Sequence, residues 1–379
     1  MKLMIKLAMT TIGVLGIAMG VAAKLPAAEA GASSSQVAQV GTMSVARATH
    51  QATLLASGQL LITGGCTGRC DASLASVERY DPATRSFHPV APMNKPRNSH
   101  SAITLPDGRI LIAGGWVNRD VTASAEIFDP AAGRFTNAAS MAAARAAAIA
   151  ARLSDGRVLL TGGVTSELDP LASAEIFDPA TSRFAAVGPM LTARVGHAAV
   201  TLADGRVLLV GGRQVRRGET LRSAEIFDPA TGRFHVTGQM AVPRHKHAAI
   251  RLADGRVLVI GGSDARDGRG RYRSTELYDP ATGKFSPGAD MNAQRFKLTD
   301  AIAILPSGSV LVAGGAAQFE LYQPAKRAFV TLAGSLDGSR EFATASLLPN
   351  GDVLVLGGYD EQIRTSAAAW LVPRVALAP

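Results

Sequence analysis

Seven double glycines recur along this chain, at Gly64-Gly65, Gly114-Gly115, Gly162-Gly163, Gly211-Gly212, Gly261-Gly262, Gly314-Gly315 and Gly357-Gly358, spaced 43 to 53 residues apart. A period of that size belongs to repeat architectures, in which each unit buries its faces only against its neighbours. Six residues before each pair stands another glycine, usually in an Asp-Gly or Asn-Gly step such as Asp204-Gly205 or Asn350-Gly351. These steps between apolar runs are hairpin signals, because both central residues of the tight turn need positive φ. Each unit therefore reads as strand, turn, strand, double glycine.

After the glycines comes a loop of variable length, then a third run such as Ser223-Ala224-Glu225-Ile226-Phe227, ended by Asp228-Pro229. A fourth strand opens with Phe234 and closes near Met240. The same frame places Tyr80, Phe128, Phe177, Phe227, Tyr278 and Tyr322 before the turn prolines, and Phe87, Phe135, Phe184, Phe234, Phe285 and Phe329 after them. Met43, Met93, Met141, Met190, Met240 and Met291 share one repeat position, which marks them as core rather than as a cofactor box. A length of 379 residues would ordinarily suggest two or three domains. Here it divides into seven four-stranded units.

Units of this kind fit the blades of an all-β, seven-bladed β-propeller. They resemble the Kelch repeat, with its double glycine, its aromatic before the turn proline and a second aromatic about seven residues later. That second aromatic is Phe where Trp is usual, which resembles the galactose-oxidase-like and bacterial exported branch of the family. The resemblance spans residues 36–373. Too few residues follow Pro373 for a fourth strand, whereas Val40-Gly41-Thr42-Met43 matches the strand end Val187-Gly188-Pro189-Met190. An N-terminal strand around Val37 to Met43 is therefore expected to complete the last blade and remove an open edge.

Lys2 and Lys6 precede an apolar run from Leu7 to Ala23 and then small residues. This pattern reads as a signal peptide, residues 1–23 with cleavage as late as residue 30, followed by a linker, 24–35. The expectation is an exported protein, periplasmic or extracellular and monomeric, with a short tail at 374–379 and no membrane span once the signal is removed. Cys66 and Cys70, the two cysteines, lie in one loop and are expected to form a local disulfide. Their spacing is neither a redox CxxC nor half of a zinc site, so no metal and no cofactor is expected. The net charge of +9 comes without a nucleic-acid-binding motif, and nucleic acid is not expected as a partner.

Each unit carries an arginine near the start of its first strand: Arg47, Arg97, Arg145, Arg194, Arg244, Arg295 and Arg340. Six also carry a glutamate in the third strand: Glu78, Glu126, Glu175, Glu225, Glu276 and Glu320. An Arg–Glu pair inside each of those blades is expected. In the seventh unit Ala369 is read in the glutamate's place, which leaves Arg340 for a ligand. His50, His100, His197 and His247 recur three residues after the arginine and read first as packing residues.

Strand alternation puts the variable loops and the entrances to the first strands on one face. Irregular loops on a rigid scaffold are where binding resides. Subtracting the repeat leaves the candidates for ligand binding: Arg340, Glu341, Phe342, Arg295, Phe296, Trp116, Tyr272, Tyr359, Arg217 and Arg271. Aromatics and planar donors suit stacking on sugars or gripping carboxylates. The reading is a binding protein that presents a basic, aromatic loop face to a glycan, acidic ligand or protein partner. The alternative is a carbohydrate-active enzyme, such as a sialic-acid mutarotase, or a copper radical oxidase. Against the last, the chain has no Tyr-His dipeptide.

Overall fold

In a computed structural model of the chain, residues 36–214 and 218–377 are described. The expected signal peptide and linker, the end of the tail, and Arg217 lie outside them. The described residues form seven four-stranded antiparallel sheets, each a blade. Blade 4 runs Ala198–Thr201, Val207–Val210, Ala224–Asp228 and Arg233–Val236. Blade 7 takes three strands from the C-terminal end, Thr344–Leu347, Val353–Leu356 and Ala368–Val372, and its outermost strand, Ala38–Thr42, from the N-terminal end. The chain thus closes its own ring, and no blade is left with a missing strand.

The second strand of each blade is its most buried, as in Leu60–Thr63 and Val257–Ile260, and its apolar side chains pack on the aromatics of the neighbouring blade. Val257 and Val259 of blade 5, for instance, share a core cluster with Leu208 and Val210 of blade 4. In six blades the two repeat aromatics meet as a tilted ring pair, with centroids 4.8 to 5.0 Å apart from Tyr80–Phe87 to Tyr322–Phe329.

The double glycines lie on the seam between blades. The second glycine of each pair donates its N–H to the carbonyl of the next blade's arginine, from Gly65 to Arg97 (2.9 Å) around to Gly358 and Arg47 (3.0 Å). A Cβ on Gly211 would come within 2.5 Å of the Arg244 carbonyl, and its φ of +65° disfavours any side chain. Glycine is required there twice over.

The arginines are as buried as the seam. Arg194 is fully buried; its guanidinium donates to the Gly211 carbonyl (2.7 Å), to Ser223 and to Glu225 Oε1 (2.6 Å). Glu225 also accepts the backbone N–H groups of Leu191 and Thr192, so it ties the strand arriving from blade 3 to blade 4. Equivalent buried pairs join Arg47–Glu78, Arg97–Glu126, Arg145–Glu175, Arg244–Glu276 and Arg295–Glu320.

In blade 7 the register corrects the sequence alignment. Glu225 pairs with Leu209, two residues before its double glycine, and the residue pairing with the equivalent Val355 is Trp370, not Ala369. Arg340 is not left without a carboxylate either. It forms a two-pronged ion pair with Asp337, at 2.8 and 2.6 Å, three residues earlier in its own loop.

Candidate functional site

The first strands of the blades face one another around the axis and enclose a shaft. Each enters through a residue in the left-handed region, two positions after its arginine: Thr49, Ser99, Ala147, Gly196, Lys246, Lys297 and Phe342, with φ from 48° to 64°. Backbone bonds stitch this ring across blades, including Ser99 N–H to Thr49 O (3.0 Å), Ala147 to Ser99 (2.8 Å), Lys246 to Gly196 (2.7 Å) and Phe342 to Lys297 (3.1 Å). The ring is the loop-face mouth of the shaft, and it is lopsided. Blades 1 to 4 contribute small side chains, while blades 5 to 7 contribute two lysines and a phenylalanine.

Below the mouth lies a cavity of about 480 Å³ bordered by Thr49, Ser99, Arg213, His245, Lys246 and Asp300 among others. That volume falls within the range of small-molecule sites, about 300–1,000 Å³. Alanine keeps the shaft open. Three residues below six of the mouth residues stand Ala52, Ala102, Ala150, Ala199, Ala249 and Ala345, all half-buried. Blade 6 carries two extra residues here, so Ile302 takes the alanine's place in the ladder, pairing with Val312 as Ala52 pairs with Ile62, and Asp300 sits on the added turn. Asp300 Oδ2 accepts a hydrogen bond from Gln51 Nε2 at 2.9 Å. Its carboxyl touches the water of the shaft yet is surrounded by protein, and this crowding raises its pKa against the opposing effect of Gln51.

The basic side of the mouth is organised around Lys297. Its ammonium lies 4.5 Å from the Phe296 ring centroid, 4.9 Å from Tyr359 and 5.7 Å from Phe342, and it donates to Glu341 Oε2 at 2.6 Å. Burial opposes the charge, but Tyr359 and Glu341 outweigh it and hold the lysine above its ordinary pKa. Arg271 also lies over Phe296 (4.8 Å) and reaches the same Glu341 at 3.0 Å. Two cations therefore share one buried carboxylate. Lys246 pairs with Asp267 at 3.0 Å, though burial lowers its pKa. His245, 3.6 Å from Asp267, is lowered to about 4 by burial and by Lys246. Arg213 Nε is buried and finds no hydrogen-bond partner among the described residues.

Five of the residues singled out by subtracting the repeat thus meet at one place: Glu341, Phe342, Phe296, Tyr359 and Arg271. The others do not join them. Arg295 is fully buried with its guanidinium engaged by Glu320, Gly314 and Gln318, which takes it out of reach of a ligand. Tyr272 lies over Arg244 at 5.3 Å, and Arg340 over Trp370 at 5.8 Å. Trp116 lines an adjoining hollow with Asn118, Ile363, Tyr359 and the Cys66–Cys70 disulfide, which meets the shaft cavity at Thr49 and Ser99. Lys297, Asp300 and Gln51 were missed. The signal for Asp300 was present, as eleven residues rather than nine between the mouth residue Lys297 and the turn glycine Gly308.

A shaft closed by seven four-stranded blades defines the molecule as a β-propeller. The Kelch motif matches residues 50–94, 97–142, 193–241 and 244–292, which are blades 1, 2, 4 and 5, and the chain is a Kelch-repeat β-propeller. No curated protein matches it significantly. Among solved structures it is similar to a fungal alcohol oxidase of the AA5 family in complex with copper. The identity is 15%, the TM-score 0.67, and the match covers 88% of this chain and 75% of that one. At that identity the likeness is one of fold. With 1198 solved chains matching, the fold alone does not select a function. Among the described residues no helix is long and apolar enough to cross a membrane.

Proposed function

We propose that the protein is an exported binding propeller that takes a small acidic, hydroxyl-bearing ligand, an acidic saccharide, at the loop-face mouth of its shaft. The observation that carries this reading is the lopsided mouth: a cavity of about 480 Å³ bordered by Arg213, Lys246 and His245, with small residues opposite. Kelch repeats imply an interaction propeller, and the shaft supplies the concave, partly apolar surface that a small ligand needs. Phe342 borders the cavity beside Lys246, and an aromatic ring next to a cation is suited to sugar rings bearing a carboxylate. Export rests on the charged and apolar N-terminal stretch. It is tested by the intact mass of the protein recovered outside the cytoplasm, which should lack the first ~23 to ~30 residues.

Copper chemistry has less to stand on. Among the described residues no three His, Cys, Asp or Glu side chains gather as a metal site, and both cysteines are bonded to each other. These residues do not fit the ion held by the fungal neighbour.

Titration calorimetry of the processed protein against glucuronate, galacturonate and their neutral parent sugars tests the binding reading. Acidic sugars should bind more tightly than neutral ones, and that preference should shrink with added salt and in Arg213→Gln and Lys246→Gln. Equal affinity for acidic and neutral sugars, or no binding of either, would remove the reading.

A further inference from the structure

We infer that Asp300 and Gln51 form a polar floor in the shaft that recognises hydroxyl groups of the ligand. The inference rests on the reading that the shaft is a binding site and adds which part of the ligand it reads.

Repetition supplies the internal control. Six blades reach from mouth residue to turn glycine in nine residues and blade 6 takes eleven, Lys297 to Gly308. Asp300 stands on the added turn, outside the strand ladder that begins at Ile302, so packing of the inner strands does not call for its carboxylate. Gln51 is as unusual in its own frame, where the other blades place Ser101, Ile149, Ala198, Ala248, Ala301 and Thr344. Two departures from the repeat, in blades 6 and 1, meet in one hydrogen bond of 2.9 Å that passes in front of blade 7 between them. Asp300 is anchored from behind, its carbonyl accepting the Ala345 N–H at 2.8 Å. No cation pairs with its carboxylate among the described residues. Asp300 is exposed towards the shaft and borders its cavity, so with no cation beside it the remaining acceptor positions of the carboxylate can meet a ligand.

The donor set specifies the chemistry. An ionised carboxylate offers about four acceptor sites, of which Gln51 occupies one, and the carboxamide keeps its own oxygen and a second N–H. Acceptors beside a donor, at fixed spacing, suit neighbouring hydroxyls, each of which donates and accepts. Asp300 borders the same cavity as Lys246 and Phe342 of the mouth, so one ligand can meet both. A ligand with its carboxylate at the cationic mouth would lower its hydroxyls to this floor.

The test compares wild type, Asp300→Ala and Gln51→Ala by calorimetry against glucuronate, galacturonate, glucose and cyclohexanecarboxylate, an acid of similar size without hydroxyls. Asp300→Ala trims an exposed side chain on the added turn of blade 6, so the fold should persist, which a thermal melt checks. The expected result is a loss of about tenfold or more in uronate affinity in both variants, with cyclohexanecarboxylate unchanged. Uronate binding untouched by Asp300→Ala overturns the floor and leaves the acidic-ligand reading standing. Equal binding of glucose and uronates, both lost in the variants, sustains the floor and removes the acidic reading. Failure of every sugar to bind the wild type removes both.

Discussion

Arg340 lies over the indole of Trp370, 5.8 Å from the ring centroid, where the six other blades join arginine to glutamate. The seventh blade has exchanged an ion pair for a cation–π contact and moved its carboxylate to Asp337 in the adjoining loop. Trp370 is 2% exposed and belongs to the core that blade 7 shares with blade 6. Writing the repeat back in, as Trp370→Glu, should therefore destabilise the protein, by about 3–5 kcal/mol from the lost indole alone. Chemical denaturation checks this, and a variant as stable as wild type would show that Arg340 prefers the glutamate.

A related experiment asks what the six intact pairs contribute. Glu225→Ala strips a fully buried guanidinium of its counter-ion and leaves the Leu191 and Thr192 N–H groups unpaired. Breaking a buried pair from one side costs about 3–5 kcal/mol, because the remaining charge is stranded. The double variant Arg194→Leu, Glu225→Leu should cost less than the two single variants added together. Strict additivity in denaturation midpoints would mean that the two groups do not interact.

The histidines at the blade entrances should make the fold acid-sensitive. Burial, with help from the neighbouring arginine, lowers His50 and His197 to about 3 and moves His100 and His247 in the same direction. In the unfolded chain these imidazoles titrate near ~6.5. Between those limits the unfolded chain takes up protons that the folded chain refuses, so stability is full above about pH 6.5 and falls as pH drops towards 3. Melting temperature should decline across that window, and His197→Gln should flatten the decline. A flat profile from pH 6.5 to 4 would contradict the buried, neutral assignment.

Much of this architecture was legible because a repeat shows its constraints seven times. The double glycines, the aromatic pairs and the Arg–Glu pairs could be read directly, and so could the closure by Ala38–Thr42, since the strand missing after Pro373 had to come from elsewhere. The blade 7 alignment slipped by one residue because its third strand reads Ala-Ala-Trp-Leu-Val, with no charge to fix the register. The site was only half visible. Phe296, Phe342 and Tyr359 stand out by type, but Lys297 looks like any surface lysine until three rings from two blades converge on it. Arg295 misled in the other direction, because nothing local in sequence says that a guanidinium is entirely enclosed.

The shared carboxylate of Glu341 sets stability against binding at the mouth. It lies 2.6 Å from Lys297 and 3.0 Å from Arg271, and its side chain is 4% exposed, so both cations depend on it within a poorly solvated pocket. Glu341→Gln keeps the shape and a hydrogen-bond acceptor but deletes the charge. Charge-assisted bonds of this kind are worth about 1.5–3 kcal/mol each, and stability should fall by roughly that amount in total, since the amide oxygen retains part of each contact. The same change makes the mouth more cationic. Affinity for a uronate should then rise, most clearly at low salt where the added attraction is least screened. A thermal melt read beside calorimetry at two ionic strengths distinguishes the cases. Lower stability with tighter uronate binding is the expected pair of results, whereas lower stability with weaker binding would mean that Glu341 holds the cations in the positions the ligand requires.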